Sequence, residues 1–432
     1  MMEIVGKIRR AMASPWDASH ILALAALVAP GIGMLAPLGM APLFIATVLG
    51  ILLLEWRQRL WTAFPRFLGL ILCMICGWAG LTALWAVDPA RSLLAAAQLA
   101  LNTLGGVILI GAAKRLRSQA AAKVGAALMI GIVLGMGLFV IGLVSGRRLE
   151  ALLRAMQNRD LLPYYWVSIQ VFNRGVCVTA LAALPAMALL WVERRQRQLA
   201  ATGIPVVTMM IISKALAAKV LLGIELAALA LFRKPSRLLG ITVGAFLAAL
   251  VVFIPLGTRM LPPPQVSANW AFVPYSSHHR LTIWGFVTDR IFERPVLGWG
   301  MDSARAIPGG EDDEIVYFEF RHGSDGSSRA EVAEQHLPLH PHNAVLQWWL
   351  ELGGVGALLF AVLLARLGWL AVGPRQSPAM AVCGGALLVG ACVVSSVSFG
   401  FWQSWWQCTM WFLAAWATAL APLLSPSQMR DE

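Results

Sequence analysis

The chain has 432 residues, of which 59% are hydrophobic and only 13% charged, with a formal net charge of +12. Soluble domains carry about a quarter charged residues, so the composition excludes an ordinary soluble globular class. A basic excess can mark a nucleic-acid binder. Here the Lys and Arg sit in short clusters between apolar runs, the pattern of a multi-pass protein with its positive loops on the cytoplasmic side. The expected partner is the lipid bilayer, and no nucleic acid is expected.

In chain order, "MEIVGKIRRAMASPW" carries basic residues and an apolar face, without the compact apolar core of a cleaved signal. It reads as an interfacial helix. Apolar runs near 20–36, 38–54, 67–86, 92–112 and 122–145 read as spans, followed by an amphipathic segment over 146–173 and further spans near 174–192, 203–213, 214–232 and 238–256. Three more are expected near 343–365, 378–398 and 403–423. The basic clusters fall around Arg9, Arg57, Arg115, Arg195, Arg233 and Arg366. With all six on one side, two crossings must join each consecutive pair.

That parity makes residues 205–232 informative. As one helix they would put Arg233 and Lys234 on the wrong side. As two helices each is shorter than the roughly 20 residues of a full span. A short hairpin with its tip at Ser213-Lys214 inside the membrane reconciles the two. The alternative is one tilted helix with its lysines reaching outward. A lysine at membrane depth usually serves binding. Of the six cysteines, Cys73 and Cys76 are spaced like a redox pair, but no βαβ pattern surrounds them and packing is the reading.

The fold class is therefore an all-α polytopic membrane protein of about twelve transmembrane helices with one large helical loop. It divides into 1–256 (nine spans), 257–342 (the loop) and 343–432 (three spans). The loop holds 7 Arg and no Lys against 11 acidic residues, net −4, so the rest of the chain carries +16. Six of the seven histidines lie in it, at 278, 279, 322, 336, 340 and 342. Loops of this length usually carry function. Leu281, Trp284, Val287, Ile291 and Phe292 recur at helical spacing, which predicts an amphipathic helix from about His279 to Pro295. Free N–H groups and the guanidinium of Arg280 could together receive an anion at its start.

The motifs "R-x3-W…ERPVLGWG" and, after a variable stretch, "HN-x2-L-Q-x3-E-x-G-G-x-G" resemble the O-antigen ligase family, which also includes O-antigen polymerases and some protein O-glycosyltransferases. The likeness covers residues 276–302 and 340–360. It implies a GT-C-like frame in the bacterial inner membrane, with the active site on the periplasmic side. It further implies transfer of a glycan from an undecaprenyl-diphosphate-linked O-antigen donor to an acceptor hydroxyl, here that of the lipid A core.

Such chemistry needs a base for the hydroxyl and positive charge for the diphosphate. The resemblance maps the base to His342, with Asn343 orienting it; a simple helix cap is the other reading of that pair. It maps one diphosphate-binding arginine to Arg280. Where the family has a second, in a "Ser-Arg" pair, this chain has Lys214, a point charge without a bidentate fork. Arg174, at the entry to its span, is a further candidate, or an interfacial anchor. His340 shapes the turn or touches the acceptor. Glu311–Glu314 and the histidines could hold a metal in principle, but no metal and no cofactor is expected. Glu351 reads as a supporting partner, Gly353-Gly354-x-Gly356 as close helix packing, and Trp402, Trp405 and Trp406 as an interfacial belt. A transporter or flippase for a lipid-linked glycan is the reading from another class.

Overall fold

The structure, a computed structural model, describes residues 16–145, 148, 172–213, 215–268, 270, 275–322 and 326–425. The expected N-terminal interfacial helix and the amphipathic segment 146–173 fall almost wholly outside them, and so does Lys214.

Helices dominate. In chain order they are α1 (Ala18–Leu35), α2 (Met40–Glu55), α3 (Arg66–Leu81), α4 (Pro89–Ala113), α5 (Ser118–Val144), α6 (Asn173–Val192), α7 (Gln196–Ile212), α8 (Leu216–Leu231), α9 (Arg237–Thr258), α10 (Tyr275–Glu293), α11 (Ala344–Val372), α12 (Pro378–Val397) and α13 (Ser404–Leu424). Among the described residues, ten helices are long and apolar enough to cross a membrane. Helices suit that setting because they satisfy their own backbone polar groups.

The two helices α7 and α8 are the short pair expected between Arg197 and Arg233. Their 17 and 16 residues meet at Ser213, which is buried. The first begins at Gln196, seven residues before the expected start, and carries Pro205 within it.

Small residues and buried amides join the bundle. A methyl group on Gly244 of α9 would stand 2.5 Å from the carbonyl oxygen of Ala365 in α11, so the two backbones run in contact. Asn102 of α4 donates to Gln407 of α13 at 2.8 Å, a buried interhelical bond.

The sequence predicts a helical loop, but the loop is not purely helical. Besides α10 it holds an antiparallel hairpin, β1 (Asp313–His322) and β2 (Gly326–Gln335), with Val316 opposite Val332. Val316 and Phe318 are buried while Ile315 and Tyr317 are exposed, the two-residue alternation of a strand with one covered face. The hairpin is tied to α10 through His278, which is buried against the Glu334 carboxylate at 3.0 Å, while Thr282 also donates to Glu334. Helix α10 in turn buries Ile283, Val287 and Ile291 against Leu346 and Leu350 of α11. The loop is thereby docked on the span that follows it.

Helix α11 is broken at Gly353, whose φ is 65° and ψ −169°. Carbonyls freed by the break find new donors. Leu350 accepts from Trp299 N at 2.9 Å, Glu351 from Gly300 N at 2.9 Å, and Leu352 from Trp78 Nε1 at 2.9 Å. Beyond the break, Gly354 N donates to Pro295 O at 2.8 Å. The "RPVLGWG" and "E-x-G-G" segments are thus two halves of one joint. The glycines serve this loop contact rather than helix–helix packing alone.

Candidate active site

The site forms on the turn His340-Pro341-His342, between the hairpin and α11. Asn343 caps α11, its Oδ1 accepting from Leu346 N at 3.1 Å, a contact worth about 1 kcal/mol. Trp284 of α10 donates to Pro341 O at 2.9 Å and His342 N donates to His340 Nδ1 at 3.2 Å. So fixed, His342 sits at φ 52°, a left-handed conformation that costs a residue of this type about 1–2 kcal/mol. Strain of this kind gathers at functional sites.

The His342 ring is oriented by the chain that follows α12. Its Nδ1–H donates to the carbonyl of Ser398, just after α12, at 2.9 Å. In the neutral ring this bond fixes the proton on Nδ1 and leaves the lone pair on Nε2. Nε2 has no hydrogen-bond partner among the described residues. Burial, with the charges of Arg280 and His279, lowers the His342 pKa, against the upward pull of the Ser398 bond. His342 is therefore neutral near pH 7 and able to accept a proton.

The two histidine rings stand 4.2 Å apart. Burial, with His342, Arg305 and Arg174 adding to it, pushes His340 down to about 3. It stays uncharged and serves as an acceptor for the His342 N–H.

Cations gather round the pair. Arg280 lies in α10, half-buried, its pKa lowered by burial, and its charge acts on His342. The guanidinium of Arg174 lies over the Trp405 ring, 5.5 Å from its centre. Trp405 Nε1 donates to Gln403, whose amide is 3.4 Å from His340 Nε2. Of the residues singled out from sequence, His342, His340, Asn343, Arg280 and Arg174 are thus brought together. The sequence reading missed Arg305 and the Ser398 carbonyl. A backbone carbonyl leaves no residue-type signal, and Arg305 stands in no motif.

Several expectations change. Trp402, Trp405 and Trp406 are buried, at 5%, 2% and 0% exposure, and pack internally, Trp402 on Phe401 and Trp405 and Trp406 on Phe399, rather than forming a belt facing lipid. Glu351 is fully buried and is a supporting partner as read. It accepts from Gln347 Nε2 at 3.1 Å, from Asp302 N at 2.5 Å and from Trp402 Nε1. Asp313 and Glu314 lie within β1, and His336 is stacked on Phe286 with rings 4.9 Å apart, 4.0 Å from Glu314. Among the described residues no three His, Cys, Asp or Glu side chains converge as metal ligands.

The fold and site define a multi-pass helical membrane protein with a neutral histidine among arginines at the docked-loop end of its bundle. A family model described as "O-Antigen ligase" matches residues 171–361. A protein of Rickettsia conorii carrying the description "Putative polysaccharide ligase" is 27% identical over 241 residues, 55% of each chain. One of Rickettsia bellii with the same description is 26% identical over 350 residues, 79% of this chain and 77% of that one. These findings support the O-antigen ligase family, the one whose motifs the sequence resembles. The chain spans 55% of the Rickettsia conorii relative and 42% of a similar Rickettsia prowazekii protein. No solved structure matches the chain.

Proposed function

We propose that the chain is a membrane glycosyltransferase, an O-antigen ligase of the inner membrane acting at the periplasmic face. It moves O-polysaccharide from undecaprenyl diphosphate to a sugar hydroxyl of the lipid A core. The acceptor oxygen attacks the anomeric carbon and its proton passes to His342 Nε2. The bond from that carbon to the diphosphate oxygen breaks in the same step, inverting the configuration. Undecaprenyl diphosphate leaves as an anion met by Arg280, Lys214 and Arg174, and the reading needs no metal. One charged contact to a developing anion of this kind is worth roughly 3 kcal/mol. Asn343 and His340 hold the turn.

The observation that carries the reading is the His342 ring, tied at Nδ1 to Ser398 and open at Nε2, within the field of Arg280. A flippase needs no base, and its cations would follow a path across the bilayer. Arg280, Arg174 and Arg305 instead cluster round two histidines. Polymerase or protein O-glycosyltransferase activity uses the same chemistry on a different acceptor and is the second reading.

The lipopolysaccharide gel of a deletion strain separates these. A ligase predicts loss of all core-linked ladder while lipid-linked polymer accumulates. A core carrying a single repeat unit would instead mean polymerase, and an intact ladder would overturn both.

A further inference from the structure

A cavity of about 570 Å³ opens beside His340, between the start of α4, the Asp302–Arg305 turn and the link into α13. Its size falls within the roughly 300–1,000 Å³ of small-molecule sites. Its lining includes Gln98, Gln347, Gln403, Asp302, Arg305 and Trp402. Amides and carboxylates offer donors and acceptors for hydroxyls. An indole face offers an apolar plane with a polar edge, which suits the C–H face of a sugar ring. A lipid tail would leave the Arg305 guanidinium without a polar partner.

The wall is held in place from behind. Buried Glu351 fixes Gln347, Trp402 and the Asp302 backbone at once. Asp302 itself is held at φ 53° and takes Arg91 Nε at 2.9 Å. Arg305 has no ion partner among the described residues, and its charge reaches His340. His340 is the partition, lining the cavity on one side with the His342 ring on its other. Arg280 does not line the cavity.

We infer that this cavity is the acceptor's saccharide subsite, holding the terminal sugars of the acceptor glycan so that their hydroxyl meets His342 from the His340 side. The diphosphate then comes from the Arg280 side. The inference rests on the transferase reading above and adds which residues read the acceptor.

The test uses the full chain in lipid nanodiscs, with transfer titrated separately in lipid A–core and in donor lipid. Ala95→Trp, which fills the cavity, and Arg305→Gln, at an exposed position, should each raise the acceptor KM at least several-fold and leave the donor KM unchanged. Deacylated core oligosaccharide should compete with acceptor and not with donor, and should lose that effect in Ala95→Trp. Should Ala95→Trp not fold, Arg305→Gln decides alone. An unchanged acceptor KM in folded Arg305→Gln would overturn the inference, as would a rise in donor KM instead. Failure of the transferase reading shows separately, as absence of any glycan transfer by the unaltered chain.

Discussion

Arg280 and His342 are coupled, and the coupling has a sign. Burial first, and then a positive neighbour, disfavour the imidazolium, so the His342 pKa lies below its ordinary value near 6.5. As a base His342 works only when neutral, so activity should hold as pH falls through 6.5 and drop off below it. Arg280→Gln removes one lowering cause. Its residual activity should therefore show an acidic limb moved toward higher pH, besides a large loss of rate. The pH profile of transfer checks this, and an unshifted limb would separate the two residues. His342 and Arg280 became candidates because they stand in motifs that resemble the family's, and the structure brings the two together. The partner that fixes the His342 tautomer was not legible in the sequence, since any residue at 398 presents a carbonyl.

At the scale of the element, the joint between the 295–300 segment and α11 depends on Gly353. A methyl group there would meet the Val296 carbonyl oxygen at 2.2 Å, on a backbone at φ 65°. Gly353→Ala should cost roughly 1–3 kcal/mol in strain, lowering the Tm of the purified protein and much of its transfer. Gly354→Ala, whose methyl group would lie 3.1 Å from Pro295 O, should be milder. Equal Tm values for the two variants would contradict the account of the joint. The "G-G-x-G" spacing was visible, but not what approached it, because the contact bridges residues some fifty apart in sequence. The hairpin β1–β2 was also passed over. Its alternation "IVYFEF" is short and follows the acidic run 311–314, which reads as exposed loop.

For the molecule as a whole, length and hydropathy made the span pattern readable, including the short pair α7–α8, because a bilayer imposes one length on every crossing. The site was readable only in part, since it joins α6, α10, the start of α11 and the chain after α12, and long-range assembly leaves little trace in composition. In the proposed reaction the arginines meet the growing leaving-group charge. Transfer by purified enzyme should accordingly survive a strong chelator at the untreated rate. Inactivation reversed by a divalent cation would contradict that.

The most direct measurement of the central claim, that His342 takes the acceptor's proton, is transfer by His342 variants in purified form alongside donor-lipid binding. Asparagine accepts the left-handed backbone of position 342 more readily than most residues, so His342→Asn separates loss of the base from loss of the turn, and His342→Ala completes the pair. Both should bind donor lipid nearly as wild type does, because the diphosphate contacts remain, and neither should transfer glycan. Transfer at the wild-type rate by either folded variant would contradict the account.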